Sequence, residues 1–173
     1  MRLLLLALPL WLAACSPTFD WREVRFDPAT PLALLPCKPD RGTREVVMGQ
    51  APVTLQMAGC ETGGATFAVM LARLDDAKVA GAALAGWKQA TLANMHAGAV
   101  AEAPFQPPGS LPLRESLRVT ARGQRPDGRA VQAQAVWLAQ ASGSGVQLVH
   151  AVVYADTLSS ELADTFFSGL RLP

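Results

Sequence analysis

Cys15 is the residue whose position most clearly points to chemistry. One positive charge, at Arg2, precedes an unbroken apolar run over residues 3–12, and the small residues Ala13 and Ala14 come directly before the thiol. A charged start, an apolar run of about ten residues and a small-residue processing site are typical of a secretory signal peptide. Because a membrane-spanning helix takes roughly 20 apolar residues, this pattern predicts export and cleavage, not a permanent span.

The stretch Leu12-Ala13-Ala14-Cys15 resembles the bacterial lipobox at all four positions. The resemblance implies that residues 1–14 are a lipoprotein signal peptide and that Cys15 carries a diacylglyceryl group and an acyl chain such as palmitate. The lipid bilayer is then a partner, since several acyl chains hold a protein on a membrane without a span. Ser16 resembles the default signal for the outer membrane, which implies its periplasmic face in a Gram-negative bacterium. The alternative is ordinary cleavage that leaves Cys15 as a free thiol.

The other two cysteines, Cys37 and Cys60, form an even pair once Cys15 is acylated. In an oxidising compartment such a pair is typical of a disulfide, here closing a loop of about 24 residues, which is worth roughly 3 kcal/mol in the chain-entropy description. The competing hypothesis, a metal site, lacks any C-x-x-C spacing or nearby histidine. We therefore predict a disulfide and no metal.

The two histidines, His96 and His150, offer little support for catalysis. His96 falls at the end of a predicted helix, where a cation complements the helix dipole, and His150 lies inside a strand among valines. No second metal ligand stands at a fixed spacing from either residue, and the scattered acidic residues form no paired carboxylates. The sequence also lacks G-x-S-x-G, H-E-x-x-H, phosphate-loop and dinucleotide-binding motifs. We predict no catalytic residue and no cofactor.

The charge balance excludes one class of partner. The chain has 15 Lys+Arg against 14 Asp+Glu, and loss of Arg2 on cleavage leaves it formally neutral. A neutral chain without a Lys/Arg cluster argues against strongly anionic partners, both nucleic acid and a strongly anionic surface.

The elements that must position these residues begin with a strand meander. Residues 15–30 are expected to be the lipidated N-terminus and tether, with Trp21, Val24 and Phe26 docked on the domain. Residues 31–173 are expected to form a single domain. A buried run at 32–35, an alternating run at 53–57 and an apolar run at 65–74 are typical of strands, and the first leads directly to Cys37.

A long helix follows, capped by Asp75 or Asp76. Its apolar positions recur at helical spacing and predict one narrow inward face. These positions are Ala80, Leu84, Trp87, Thr91 and Met95, with Ala83 and Leu92 at the margins. Residues 98–113 contain four prolines and no period, which indicates a surface connection.

Three further strands, at 117–122, 130–140 and 146–155, are separated by the turns RPDGR and SGSG, and a short helix from about Thr157 ends at Gly169. On the first two strands, polar residues alternate with apolar ones and predict a hydrogen-bonding sheet face. This predicted polar face consists of Arg118, Thr120, Arg122, Gln132 and Gln134.

This order predicts an α+β domain with a mainly antiparallel sheet of about six strands covered by two helices. The L-P-C-K-P step, the Gly-flanked hairpin, the central strand leading into a long helix, the three later strands and the ending FFSGLRL together resemble the PsbP-like α/β/α sandwich. That resemblance covers most of residues 30–172 and rests on topology, not on a catalytic motif. It implies a protein that binds or stabilises a partner without doing chemistry.

The leading hypothesis is therefore a non-catalytic, outer-membrane lipoprotein whose domain binds an envelope protein or another envelope component. Its site is expected on the polar face or in the connection over residues 98–113. One alternative is a carrier of a small apolar ligand held between helix and sheet, which requires a cavity of a few hundred Å³. The other is a hydrolase, which requires His96 or His150 to meet an acid and a nucleophile in one cleft.

Overall fold

The structure, a computed structural model, describes residues 17–49 and 51–173. The signal peptide and Cys15 lie outside the described residues. Within them the chain forms nine strands and two α-helices. In chain order these are β1 (Arg22–Phe26), β2 (Ala29–Leu35), β3 (Asp40–Met48), β4 (Ala51–Thr62), β5 (Ala65–Leu74), α1 (Ala80–Asn94), β6 (Val100–Pro104), β7 (Leu117–Gln124), β8 (Ala130–Ser142), β9 (Gly145–Ala155) and α2 (Ser160–Ser168).

Seven of the strands form one sheet in the order β3-β4-β5-β9-β8-β7-β6, and every neighbouring pair is antiparallel. β1 and β2 pair separately as an antiparallel hairpin. The middle strands β8 and β9 are buried along almost their whole length, as their apolar sequences require. The edge strands β3 and β6 are mostly exposed.

Each face of the large sheet has its own core. On one, called the α2 face, Phe67 and Val153 pack with Phe26 of the hairpin and Phe166 of α2. On the opposite face, called the α1 face, the apolar side chains of the sheet pack against Ala80 and Leu84 of α1. Because side chains alternate along each strand, central strands such as β8 and β9 contribute residues to both cores.

α1 reaches both edge strands of the large sheet. The helix contacts β3 at one edge, and Lys88 of α1 bonds Glu102 of β6, at the other edge, at 2.7 Å.

The predicted fold class is wrong. In place of about six strands covered by two helices in a PsbP-like sandwich, strands make up 52% and helices 17% of the structure, with a seven-stranded sheet beside a two-stranded one. The physical reason is that two segments whose apolar residues have no helical spacing pair with neighbouring strands. Residues 22–35 form the β1–β2 hairpin, which packs beside α2 on the same face of the large sheet. Residues 100–104 form the edge strand β6.

The long helix begins and packs as its sequence predicts, although its first turn differs. The Asp76 side chain accepts a hydrogen bond from the Lys78 N–H at 2.9 Å, which caps a 3₁₀ turn over Ala77–Val79 that leads into α1. The predicted inward positions are the buried or half-buried ones, with Ala80, Leu84 and Met95 the most deeply buried. The apolar spacing therefore identified the correct face.

The predicted disulfide is present. Cys37, just before β3, is bonded to Cys60 of β4, with their Cα atoms 5.9 Å apart. The bond joins the end of the β1–β2 hairpin to the large sheet. Cys37 lies in the short connection between β2 and β3, so the disulfide cross-links that connection to β4.

Candidate functional site

The predicted polar face lies on one side of the sheet, as its alternation indicated. Thr120 of β7 pairs with Gln134 of β8, and Arg122 pairs with Gln132, so all five residues point to the α2 face. Only Thr120 and Arg122 are exposed. The remaining three are half-buried or buried, which leaves little of this face open to a partner.

The buried part of the polar face holds α2. Arg118 donates from Nε to the Gln134 side-chain oxygen at 3.0 Å and from Nη1 to Asp164 of α2 at 2.5 Å. Its guanidinium also lies 5.0 Å from the ring centre of Phe167. Gln132 accepts from the Leu158 N–H, just before α2, at 3.2 Å. These polar groups therefore dock the terminal helix, a use that sequence alternation alone could not distinguish from binding.

The connection over residues 98–113, the second predicted site, is largely tied to the sheet. Its first part is β6, paired with β7 from Val100↔Ala121 to Pro104↔Leu117. Farther along, the Leu111 N–H donates to the Ala139 carbonyl at 2.7 Å. The connection thus forms a sheet edge instead of a free binding loop.

A second candidate site lies on the α1 face, around the buried His150. His150 of β9 is 1% exposed. Its imidazole stacks on the Trp137 indole with ring centres 4.5 Å apart and planes at 9°, and Trp87 of α1 meets the same imidazole edge-on at 5.2 Å. Three aromatic rings from α1, β8 and β9 therefore meet in one cluster.

The protonation of His150 follows from these surroundings. Its Nδ1 lies 3.0 Å from the Val136 carbonyl, to which it can donate as an N–H. Burial lowers the pKa of His150 from its ordinary 6.5 to about 4, and the hydrogen bond to Val136 only partly opposes that shift. The ring is therefore neutral near pH 7, and Nε2 carries the lone pair.

A cleft of about 360 Å³ lies against this cluster, between the second half of α1 and the sheet. Trp87, His150 and Met70 line its inner part, while exposed Asn94, at the end of α1, and Gln124, at the end of β7, line its outer part. The cleft is thus apolar and aromatic inside and polar at its mouth, the distribution typical of small-ligand sites.

Arg125 and Tyr154 are the ionisable groups beside His150 in this cleft. The Arg125 Nη2 donates to Asp156 at 3.1 Å, while its Nε is buried and has no hydrogen-bond partner among the described residues. Burial raises the pKa of the Tyr154 hydroxyl, so it stays protonated near neutral pH. The cleft therefore presents one guanidinium, which is paired with Asp156 and one quarter exposed.

A larger hollow of about 590 Å³ is a weaker candidate. It lies near the opposite end of the sheet, and Thr54, Arg73, Asp75, Ser142 and Gln147 are among its lining residues. No aromatic side chain lines it in the described part of the chain. This hollow is larger than the aromatic cleft. The aromatic cleft is nevertheless the stronger candidate for a binding site, because rigid rings provide binding area at low entropic cost.

The hydrolase alternative requires a histidine, an acid and a nucleophile in one cleft. In the described residues neither histidine is hydrogen-bonded to a carboxylate or a hydroxyl side chain, and His96 is exposed after the end of α1. No carboxylate of the described residues lines the aromatic cleft. Across residues 17–49 and 51–173, no group of three or more His, Cys, Asp or Glu side chains could hold a metal ion.

Sequence reasoning did not identify the cleft, although two signals pointed to it. Trp87 was placed on the inward face of the helix, and His150 on a strand among valines. An indole and an imidazole that both face one core are unusual enough to suggest a site. Met70, Arg125 and Tyr154 carried no comparable signal, because only the tertiary fold brings them to the cleft.

None of the helices in the described residues is long and apolar enough to cross a membrane. No known protein family, curated protein or solved structure matches the chain.

Proposed function

We propose that this protein is a lipoprotein anchored through acylated Cys15 on the periplasmic face of the outer membrane, where its domain is a non-catalytic binding module. The complete lipobox, Leu12 to Cys15, and Ser16 behind it support the anchor and the location. The Cys37–Cys60 disulfide supports an oxidising compartment.

The aromatic cleft carries the binding part of the proposal. Its size lies within the roughly 300–1,000 Å³ that is typical of small-molecule sites, and its inner part offers the rings of Trp87 and His150. A ligand with an apolar body would cover these rings, while Arg125 would meet a polar group on it. The module therefore binds a small, largely apolar envelope component.

The anchor is tested by growing cells with a labelled fatty acid. We expect the wild-type protein to be labelled and the Cys15→Ala variant to be unlabelled. Cys37→Ala is the matched control, since it removes a cysteine without touching the lipobox. Equal labelling of wild type and Cys15→Ala would overturn the anchor.

The cleft is tested with N-phenyl-1-naphthylamine, an apolar dye that becomes fluorescent in a dry site. Thr91 lines the cleft and Ala90, one residue earlier on α1, is exposed outside it. We expect Thr91→Phe to abolish dye binding and Ala90→Phe to leave it unchanged. Equal binding by the two variants would show that the dye lies elsewhere and would contradict the proposed site.

An envelope protein partner is a second candidate, favoured by the edge strand β3. This strand is nine residues long, its outer edge pairs with no described strand, and Val47 near its end is 74% exposed. A partner strand could add to this edge through backbone hydrogen bonds. In-cell crosslinking from a photoreactive residue at position 47 tests this candidate, with position 90 on α1 as the control. Adducts common to both positions would count against it.

A further inference from the structure

The N-terminal segment is fixed to one end of the domain. The Thr62 hydroxyl, at the end of β4, donates to the Thr18 carbonyl at 2.5 Å. Trp21 meets Phe67 edge-on at 6.4 Å, and the Phe19 ring lies so close to Gly63 that a Cβ there would be 2.8 Å from it. The chain is thus held at the β4–β5 turn from Thr18 onward.

This attachment leaves a very short tether. Two residues, Ser16 and Pro17, separate docked Thr18 from Cys15 in the sequence, and three extended Cα–Cα steps span at most about 11 Å. Once Cys15 is acylated and its chains enter the bilayer, the β4–β5 turn must lie within about that distance of the membrane surface.

The aromatic cleft lies at the same end of the sheet. Ala65, directly after the β4–β5 turn, pairs with Ala155 of β9, which pairs with Gln132 of β8, which pairs with Arg122 of β7. The β7–β8 turn, which begins with Arg125 at the cleft, follows this row directly. The β8–β9 turn lies at the opposite end, about 30–35 Å away along the 11 residues of β9.

The cleft offers two kinds of contact to whatever enters from the membrane. Its inner part is aromatic, since Trp87 and the buried ring of His150 line it. At the outer part the Arg125 guanidinium is one quarter exposed and pairs with the exposed carboxylate of Asp156 at 3.1 Å. An aromatic floor suits an acyl chain, and a guanidinium suits an anionic head group.

We propose that the cleft takes an anionic, single-chain amphiphile from the bilayer that anchors the protein, with its acyl chain over Trp87 and His150 and its head group at Arg125. The proposal rests on the proposed function, because the short tether holds the β4–β5 turn near the bilayer only when Cys15 is acylated. One chain is specified because the cleft, at about 360 Å³, is near the lower end of ligand-site volumes.

The experiment uses the mature acylated protein in vesicles of phosphatidylethanolamine and phosphatidylglycerol. Cleavage before Cys15 removes Trp11, and a Trp21→Phe background removes the indole nearest the anchor, so that Trp87 and Trp137 alone emit. The probes are 9,10-dibromostearate and a chain-brominated lysophosphatidylglycerol, whose bromines quench only indoles in close contact. We expect at least one probe to quench the emission, and the comparison distinguishes a free fatty acid from a lysolipid.

Two matched pairs of variants locate the quencher. Thr91→Phe should reduce quenching to background, and Ala90→Phe should leave it intact. Arg125→Gln should raise the half-saturating probe concentration about ten-fold, as expected for loss of one charged hydrogen bond. Arg129→Gln, on the same turn but not among the residues that line the cleft, should not change it.

The failure of this inference is distinguishable from the failure of the proposed function. The mass of the purified protein reports acylation, and naphthylamine binding reports an accessible cleft, before any brominated probe is added. Absence of quenching by both probes in an acylated, dye-binding protein would overturn the inference. Equal quenching in Thr91→Phe and Ala90→Phe, or equal half-saturation in Arg125→Gln and Arg129→Gln, would also overturn it.

Discussion

The imidazole of His150 lies flat on the indole of Trp137, with ring centres 4.5 Å apart and planes only 9° apart. Trp87 closes the other side of the imidazole edge-on. A histidine enclosed in this way is kept neutral, because protonation would place a charge in a nearly water-free site. The stack therefore links the protonation of one residue to the stability of the α1 face.

This arrangement predicts a loss of stability in mild acid. The unfolded chain takes up a proton at His150 near pH 6.5, whereas burial lowers the folded-state pKa to about 4. Between these values the unfolded state binds more protons, so the free energy of unfolding should fall as the pH drops from 6.5 to 4. One proton contributes at most about 1.4 kcal/mol per pH unit. Urea denaturation at pH 7.5, 6.0 and 5.0 measures this slope.

Two variants separate His150 from the other groups that titrate in this range. His150→Phe keeps an aromatic ring on Trp137 and should flatten the slope, whereas His96→Gln changes an exposed histidine and should leave it intact. Tyr154 lines the same cleft, and burial raises the pKa of its hydroxyl, so it stays protonated throughout this range. An unchanged slope in His150→Phe would show that this histidine is not responsible.

The disulfide should contribute substantially to stability. Cys37 and Cys60 are 23 positions apart, and closing a loop of this length stabilises a fold by about 3 kcal/mol in the chain-entropy description. We expect a Cys37→Ser, Cys60→Ser double variant to unfold at correspondingly lower urea concentration. Cys15→Ala is the control and should unfold like wild type. Resistance of the wild-type cysteines to alkylation before reduction provides an independent check.

Arg118 should matter for the attachment of α2. It bonds Gln134 and Asp164 and lies over Phe167, and its removal would leave the buried Gln134 oxygen without that donor. We expect Arg118→Ala to lower the free energy of unfolding by about 2 kcal/mol and to speed amide hydrogen exchange in α2. Arg122→Ala, on the same face but exposed, should change stability by less than about 0.5 kcal/mol. If the two variants behaved alike, the proposed docking role would be wrong.

The predictable part of this fold is the part specified by local periodicity. Side-chain alternation predicts that Arg118, Thr120 and Gln134 lie on one face of the sheet. Helical spacing predicts that Leu84 and Trp87 face inward. Both predictions are correct because the spacing of apolar residues along one element shows which of its faces is buried. The fold class was wrong because strands at the edge and in the hairpin are defined by their partners. Val100–Pro104 has no period of its own and becomes β6 only beside β7.

The candidate site was unpredictable for a similar reason. Met70, Trp87 and His150 come from three separate elements and Arg125 from the β7–β8 turn, and only the tertiary fold brings them to one cleft. Local pattern shows which way each side chain points along its own element. It does not show that the polar face of β7 would be covered by α2, while the opposite face keeps an opening.

The last prediction concerns the two glycines of α1, Gly81 and Gly86, which differ in the space available for a side chain. A Cβ on Gly81 would lie 3.0 Å from the Glu115 carboxylate, whereas a Cβ on Gly86 would meet nothing within 4 Å. Alanine is favoured over glycine inside a helix by about 1 kcal/mol, and Gly86→Ala should therefore raise the free energy of unfolding by about that amount. Gly81→Ala should gain less, since Glu115 must move away. Urea denaturation of both variants tests the difference, and a larger gain from Gly81→Ala would contradict the packing described for the start of α1.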